Sequence, residues 1–110
     1  MRPAAEPSPP APGDVLTEVP TAREAMIERS AVALGLAWAD AWKLELRQQG
    51  RSASGGWPGT MREARVRVEH TLQVEMHGHA LPAITEVERE MAARKAYTSA
   101  RGAWRKSIDR

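Results

Sequence analysis

Apolar residues recur every three or four positions between residues 22 and 49, a spacing that predicts a long amphipathic helix. The stripe expected to be buried comprises Met26, Leu34, Ala37, Trp38, Ala41, Trp42 and Leu44. Charged residues mark the opposite, hydrated side: Arg29, Asp40, Lys43 and Arg47. Val32 and Leu36 interrupt that side, so the apolar surface covers most of the helix. Two shorter neighbouring helices would leave part of it uncovered.

A second apolar stripe with helical spacing extends to Ile108 and predicts a helix over residues 86–107. It follows Ile84 and comprises Val87, Met91, Ala93, Tyr97, Ala100, Trp104 and Ile108. Small residues lie between its members and would allow a neighbouring backbone to approach closely. Gly102 costs about 1 kcal/mol relative to alanine inside a helix. We therefore expect a packing reason or a bend at Gly102.

The segment between these two helices has an ambiguous pattern. From residue 64 to residue 76, nearly every even position is apolar and every odd position is polar, which is typical of a strand. A helix would leave two of the apolar residues, Val66 and Val74, outside its buried row. The charge pairs Glu63–Arg67 and Arg65–Glu69 favour a helix over 61–77. The alternative is an α-β-β-α chain with a hairpin over residues 64–87.

The helix boundaries follow from local signals. The sequence T-x-x-E occurs at Thr21, Thr60 and Thr85, where it can form a capping box at a helix start. Gly50 and Gly78 are placed to take the left-handed conformation that ends a helix. Together these signals predict helices at about 22–49, 61–77 and 86–107. In the first connection, Trp57 lies between glycines and a proline, and we expect it to pack over the corner of the first two helices.

Six of the first twenty residues are proline, and few bulky apolar residues accompany them. Such a segment cannot offset its ordering entropy by burial, so residues 1–20 are predicted to form a disordered tail. A P-x-x-P ligand motif over Pro7–Pro12 is the functional alternative for this tail. The remaining residues, 21–110, are predicted to form one all-α domain, a small three-helix bundle.

The composition of the chain indicates in which kind of cell and compartment the protein is expected. The longest apolar run, Ala31–Ala39, is nine residues long, whereas crossing a bilayer takes about 20. Cysteine is absent, and the N-terminus has no apolar core of a secretory signal. Arginine outnumbers lysine thirteen to three, and alanine is abundant, as in proteins of GC-rich bacteria. We therefore expect a cytoplasmic bacterial protein with no membrane association.

No catalytic, cofactor-binding or metal-binding pattern is recognisable in the sequence. Neither a nucleophile elbow nor a phosphate-binding glycine loop occurs. His70 and His77 would lie about 10 Å apart along a helix, too far for one metal ion. His79 could join His77 only in an extended loop. We expect no enzymatic activity, no cofactor, no metal and no small-molecule substrate.

Two classes of function remain. The first is a small helical interaction module, an adaptor, small subunit or self-associating protein. Its predicted interface is the Val32–Leu36 surface, which would pair with a second copy or with another helical chain. The second class is a nucleic-acid-binding accessory protein. The last seventeen residues carry a net charge of +5, and Tyr97 and Trp104 lie among the predicted binding residues Arg94, Lys95, Arg101, Arg105 and Lys106.

Overall fold

A computed structural model describes residues 21–52 and 55–108 of the chain. Three α-helices form this part: α1 (Ala22–Gln48), α2 (Met61–Gly78) and α3 (Glu86–Ile108). The predicted all-α fold is confirmed: each helix begins at the predicted residue and ends within one residue of the predicted end. The predicted tail, residues 1–20, lies outside the described residues. Within the described ranges, no helix is long and apolar enough to cross a membrane.

The hairpin alternative for residues 64–87 is wrong, because α2 is helical throughout. Its buried row contains Ala64, Val68, Leu72 and Met76, while Val66 and Val74 are exposed. The charge pairs that favoured the helix are replaced by other contacts. Arg65 binds Glu90 of α3 at 2.9 Å, Glu69 accepts from Arg89 of α3 at 3.5 Å, and Glu63 caps the helix. Two of these side chains therefore bridge α2 and α3.

All three T-x-x-E sequences form capping boxes. In each, the threonine hydroxyl accepts from the glutamate N–H, and the glutamate carboxylate accepts from the threonine N–H, at 2.9 to 3.1 Å. Each box satisfies two backbone donors that a helix start leaves free. The three boxes pair Thr21 with Glu24, Thr60 with Glu63, and Thr85 with Glu88.

A different type of residue takes the left-handed conformation after α1 and after α2. Gly50 has a φ of +73°, as predicted for a residue that follows a helix. Gly78 instead remains in α2, and Ala80 takes the left-handed conformation with a φ of +56°. The N–H of Leu81 donates to the carbonyl of Met76 at 2.8 Å, which closes the last turn. The left-handed residue at the end of α2 is therefore Ala80, two residues after Gly78, where it was predicted.

Helix α3 is the centre of the bundle. Both α1 and α2 pack against it, whereas α1 and α2 contact each other much less. Ion pairs support both contacts: Arg23 of α1 binds Glu88 at 2.8 Å, and Arg65 of α2 binds Glu90 at 2.9 Å. The bundle is consequently open on the side where α1 and α2 face each other.

The buried face of α1 agrees only in part with the predicted stripe, of which Trp38 is buried and Met26, Leu34 and Trp42 pack against the core. Ile27, Ala31, Gly35, Trp38 and Ala39 are buried, whereas Ala37, Ala41 and Leu44 of the predicted stripe are exposed. The reason is the close approach of α1 to α3, where Gly35 lies against Ala96 and Ser99. Small side chains on both helices allow that approach, and larger ones would prevent it.

Two residues of the predicted α3 stripe are exposed, and of the two reasons expected for Gly102, close packing or a bend, the packing reason was wrong. Val87 and Met91 belong to the predicted stripe but are 68% and 64% exposed. A Cβ added at Gly102 would meet no atom within 4 Å, so no close packing accounts for this glycine. The buried side of α3 comprises Ala93, Ala100 and Trp104 of the predicted stripe, together with Ala92 and Ala96.

Candidate interaction surfaces

A cluster of three tryptophans fixes the connection between α1 and α2. The Trp57 ring meets the rings of Trp38 and Trp104 edge to face, at centroid distances of 4.9 and 5.6 Å. The Trp104 indole N–H donates to the carbonyl of Gly55 at 3.0 Å. Trp57 therefore packs as an apolar plug, as predicted, but over α1 and α3. Its partners are core residues, which gives this half-buried ring a structural role.

The cluster leaves two polar atoms without a hydrogen bond. The indole N–H groups of Trp38 and Trp57 are buried and have no partner among the described residues. Gly59 adds a steric constraint, because a Cβ there would lie 2.5 Å from Trp57 and 2.6 Å from Trp38. The cluster is packed too tightly at this point to admit a further group.

An open groove of about 820 Å³ separates α1 from α2. Its α1 wall consists of Ser30, Ala33, Leu34, Ala37, Trp38 and Ala41. Its α2 wall consists of Val66, Arg67, His70, Thr71 and Glu75. Most of the lining is apolar, although Ala37, Ala41 and Val66 are exposed to solvent. Such a groove resembles the space that a fourth helix fills in a four-helix bundle.

Polar groups also line the groove, most of them on α2. The Arg67 guanidinium is 5.3 Å from the centroid of the Trp38 ring, a cation–π contact that covers the indole. The Ser30 hydroxyl donates to the Glu75 carboxylate, which joins α1 to α2. His70 is exposed beside Val66 on the α2 wall. No residue of the α1 wall is itself charged, although the Arg67 guanidinium covers Trp38 within it.

The predicted interface residues lie on another flank of α1. Val32 is half-buried, and Leu36 is 45% exposed. They line a shallow depression together with Ala25, Glu28, Arg29 and Ala33. Leu36 therefore exposes more apolar surface than Val32 does.

The predicted nucleic-acid residues on α3 do not form one surface. Helical spacing places Arg94, Arg101 and Arg105 on one exposed face and Lys95 and Lys106 on another. Arg101 lies over the Tyr97 ring at 5.7 Å, and Lys95 pairs with Glu28 of α1 at 3.4 Å. Trp104 is only 1% exposed, so the expectation that it contributes to a basic–aromatic surface was wrong.

Near the N-terminus of α3, an ion pair holds α1 in place. The Arg23 guanidinium donates to both carboxylate oxygens of Glu88, at 2.8 and 3.0 Å. This contact and the Thr85 N–H lower the pKa of the Glu88 carboxyl from 4.5 to about 2. Arg23 also donates to the Ala83 carbonyl at 3.1 Å. The arginine thus ties the first turn of α1 to the start of α3.

The histidines do not converge. His70, His77 and His79 are all exposed. No group of three or more metal-ligating side chains occurs among residues 21–52 and 55–108. The acidic residues nearest the histidines are engaged elsewhere, Glu69 with Arg89 and Glu75 with Ser30.

Comparisons with known protein families, with curated proteins and with solved structures found no match for this chain. Its function must therefore be inferred from the surfaces described above. The sequence did not identify the groove, because it assigned Ala37, Ala41 and Leu44 to the core. The outlying positions of Val66 and Val74 in α2 were the signal of a second apolar face.

Proposed function

We propose that this protein is a non-catalytic helical interaction module of a bacterial cytoplasm, and that it binds partner helices in the groove between α1 and α2. The observation that carries the proposal is the apolar lining of that groove by Leu34, Ala37 and Ala41 of α1 and by Val66 of α2. Ala37, Ala41 and Val66 are exposed although their side chains are apolar.

Physical precedent supports this interpretation of the groove. Amphipathic helices commonly bind by laying their apolar face between two helices of a partner. The Val32–Leu36 surface is a second candidate interface on the other flank of α1. It offers less apolar surface, because Val32 is half-buried.

Site-specific photo-crosslinking in cells tests the proposal. A photoreactive amino acid replaces Ala37 in the groove, Leu36 on the other flank of α1, or Thr98 on the exposed face of α3. The proposal expects defined protein adducts from position 37 and far weaker ones from positions 36 and 98. Equal labelling from all three positions, or none from position 37, would contradict it.

The alternative function is nucleic-acid binding through α3. Its support is the exposed row of Arg94, Arg101 and Arg105, with Arg101 stacked on Tyr97. Against it, Trp104 is buried, and Lys95 and Lys106 lie on another face of α3. Arg105 is in the last turn, where a cation stabilises the helix itself. The interaction module is therefore the function that the geometry favours.

A further inference from the structure

The exposed face of α1 contains a row of residues with the spacing of a coiled-coil seam. Its members follow one another at intervals of four, three, four, three and four residues: Ser30, Leu34, Ala37, Ala41, Leu44 and Gln48. This is the a/d spacing by which two helices pack side by side. Ser30 and Leu34 are half-buried, whereas the other four are exposed. The seam therefore lacks a facing helix along most of its length.

The order of side chains along this seam is the same in both directions. Reading inward from either end gives a polar residue, a leucine and an alanine. The seam is therefore symmetric about a point level with Ala39. A two-fold axis between two identical copies pairs residue i with residue j and residue j with residue i. About this centre, such pairing joins leucine to leucine and alanine to alanine.

We propose that α1 of a second copy packs antiparallel on this seam and forms a two-fold symmetric dimer. The pairing places Leu34 of one protomer against Leu44 of its partner, and Ala37 against Ala41. Ser30, whose hydroxyl donates to Glu75 of α2, then lies beside Gln48 of the partner at both polar ends. This inference rests on the proposed function, since it names the helix that occupies the α1 side of the groove.

Side-chain size and charge both suit this pairing. Alanines at the centre let two helix backbones approach closely, as alanine and glycine already do between α1 and α3 at Gly35 and Ala96. The leucines on either side of the centre then interdigitate. No member of the seam carries a charge, so the pairing brings no like charges together along it.

The second helix of the module contributes to the same assembly. Val66 lines the groove beside Ala37 and Ala41 and is 65% exposed. His70 and Val74 follow Val66 at intervals of four residues on α2 and are also exposed. The dimer places these rows at the flank of the α1 pair, where the four helices α1 and α2 of both copies form a bundle.

Sedimentation of matched variants tests the dimer. Leu44 lies on the seam and is 51% exposed, whereas Leu36 lies off it and is 45% exposed. The proposal expects a wild-type dimer at tens of micromolar, a monomer for Leu44→Glu, and a dimer for Leu36→Glu. Circular dichroism checks that both variants keep the wild-type helix content. A monomeric wild type, or loss of the dimer in Leu36→Glu alone, would overturn the proposal.

Disulfide trapping tests the antiparallel register. The chain has no cysteine, so single substitutions report one position each. We expect a mixture of Ala37→Cys and Ala41→Cys proteins to form a mixed disulfide faster than either protein alone forms a homodimer. A mixture of Leu34→Cys and Leu44→Cys should behave likewise. Preferential self-crosslinking at each position would indicate a parallel pairing and refute the antiparallel one.

The two proposals fail in different ways. A monomeric wild type that still crosslinks to another protein from position 37 would refute the dimer and leave the interaction module standing. A monomer without adducts from position 37 would refute both proposals. A dimer trapped through the seam cysteines would support both.

Discussion

Gly35 of α1 faces the backbone of α3 at Ala96. A Cβ built on Gly35 would lie 2.4 Å from the Ala96 carbonyl oxygen and 2.9 Å from the Ser99 Cβ. The first of these atoms belongs to the backbone, which cannot rotate out of the way. The two helices can therefore keep their spacing only if position 35 has no side chain.

Gly35→Ala should destabilise the fold although alanine is the better helix former. Forcing α1 away from α3 is expected to cost about 1–3 kcal/mol, the usual effect of overpacking a core. Urea denaturation followed by circular dichroism measures the change. Unchanged or increased stability of Gly35→Ala would show that the helices can separate without cost.

Gly102→Ala is the matched control in the other helix, and it should stabilise the protein. An added Cβ at this position would meet nothing within 4 Å. The gain should approach the propensity difference between glycine and alanine, about 0.5–1 kcal/mol. The same denaturation experiment reports it, and a loss of stability would mean that Gly102 has a role in a bend or a contact.

Trp57→Ala should release the connection between α1 and α2 from the other two tryptophans. The ring is half-buried between Trp38 and Trp104, so its removal should cost about 2–4 kcal/mol, somewhat less than for a fully buried ring. Trp57→Phe keeps an aromatic ring in place and should lose less than half as much. Equal losses in the two variants would show that the indole size, and not aromatic contact, decides the effect.

Lowering the pH should weaken the ion pair between Arg23 of α1 and Glu88 of α3. Arg23 lowers the pKa of the Glu88 carboxyl from 4.5 to about 2 in the folded state. A lowered folded-state pKa contributes stability above the unfolded pKa, and this contribution is lost as the pH falls from about 4.5 to about 2.

Glu88→Gln should therefore lower stability at neutral pH by about 1 kcal/mol, because the pair is partly exposed. Glutamine can still accept from the Thr85 N–H, so the capping box is retained in part. Melting temperatures of the variant and the wild type should converge as the pH falls through this window. Glu86→Gln, at an 87% exposed side chain, is the control and should show little change at any pH.

If α3 binds nucleic acid, its affinity should fall steeply with salt. Replacing Arg94, Arg101 and Arg105 with glutamine should flatten the dependence of log affinity on log salt, by about 0.9 for each duplex phosphate that the protein no longer neutralises. Lys106→Gln, on the other face of α3, should change the slope less. Fluorescence anisotropy with labelled duplex DNA measures both, and undetectable binding at low salt would exclude this function.

Local sequence signals were enough to predict where the helices begin. Capping boxes are local, because Thr60 and Glu63 need only each other and the intervening backbone. For the same reason, the start of each helix was predicted to the residue. The end of α2 was less predictable, because Ala80 and not Gly78 takes the left-handed conformation.

The choice of buried face depended on how the helices pack together. Spacing at three and four residues identifies a stripe, but α1 has two such stripes, one through Gly35 and one through Ala37. The structure buries the stripe through Gly35, because its small residues allow α1 to approach the alanines of α3. The stripe through Ala37 consequently lines the groove. Helix periodicity reports which residues share a face, whereas the size of the side chains on the facing helix decides which face is buried.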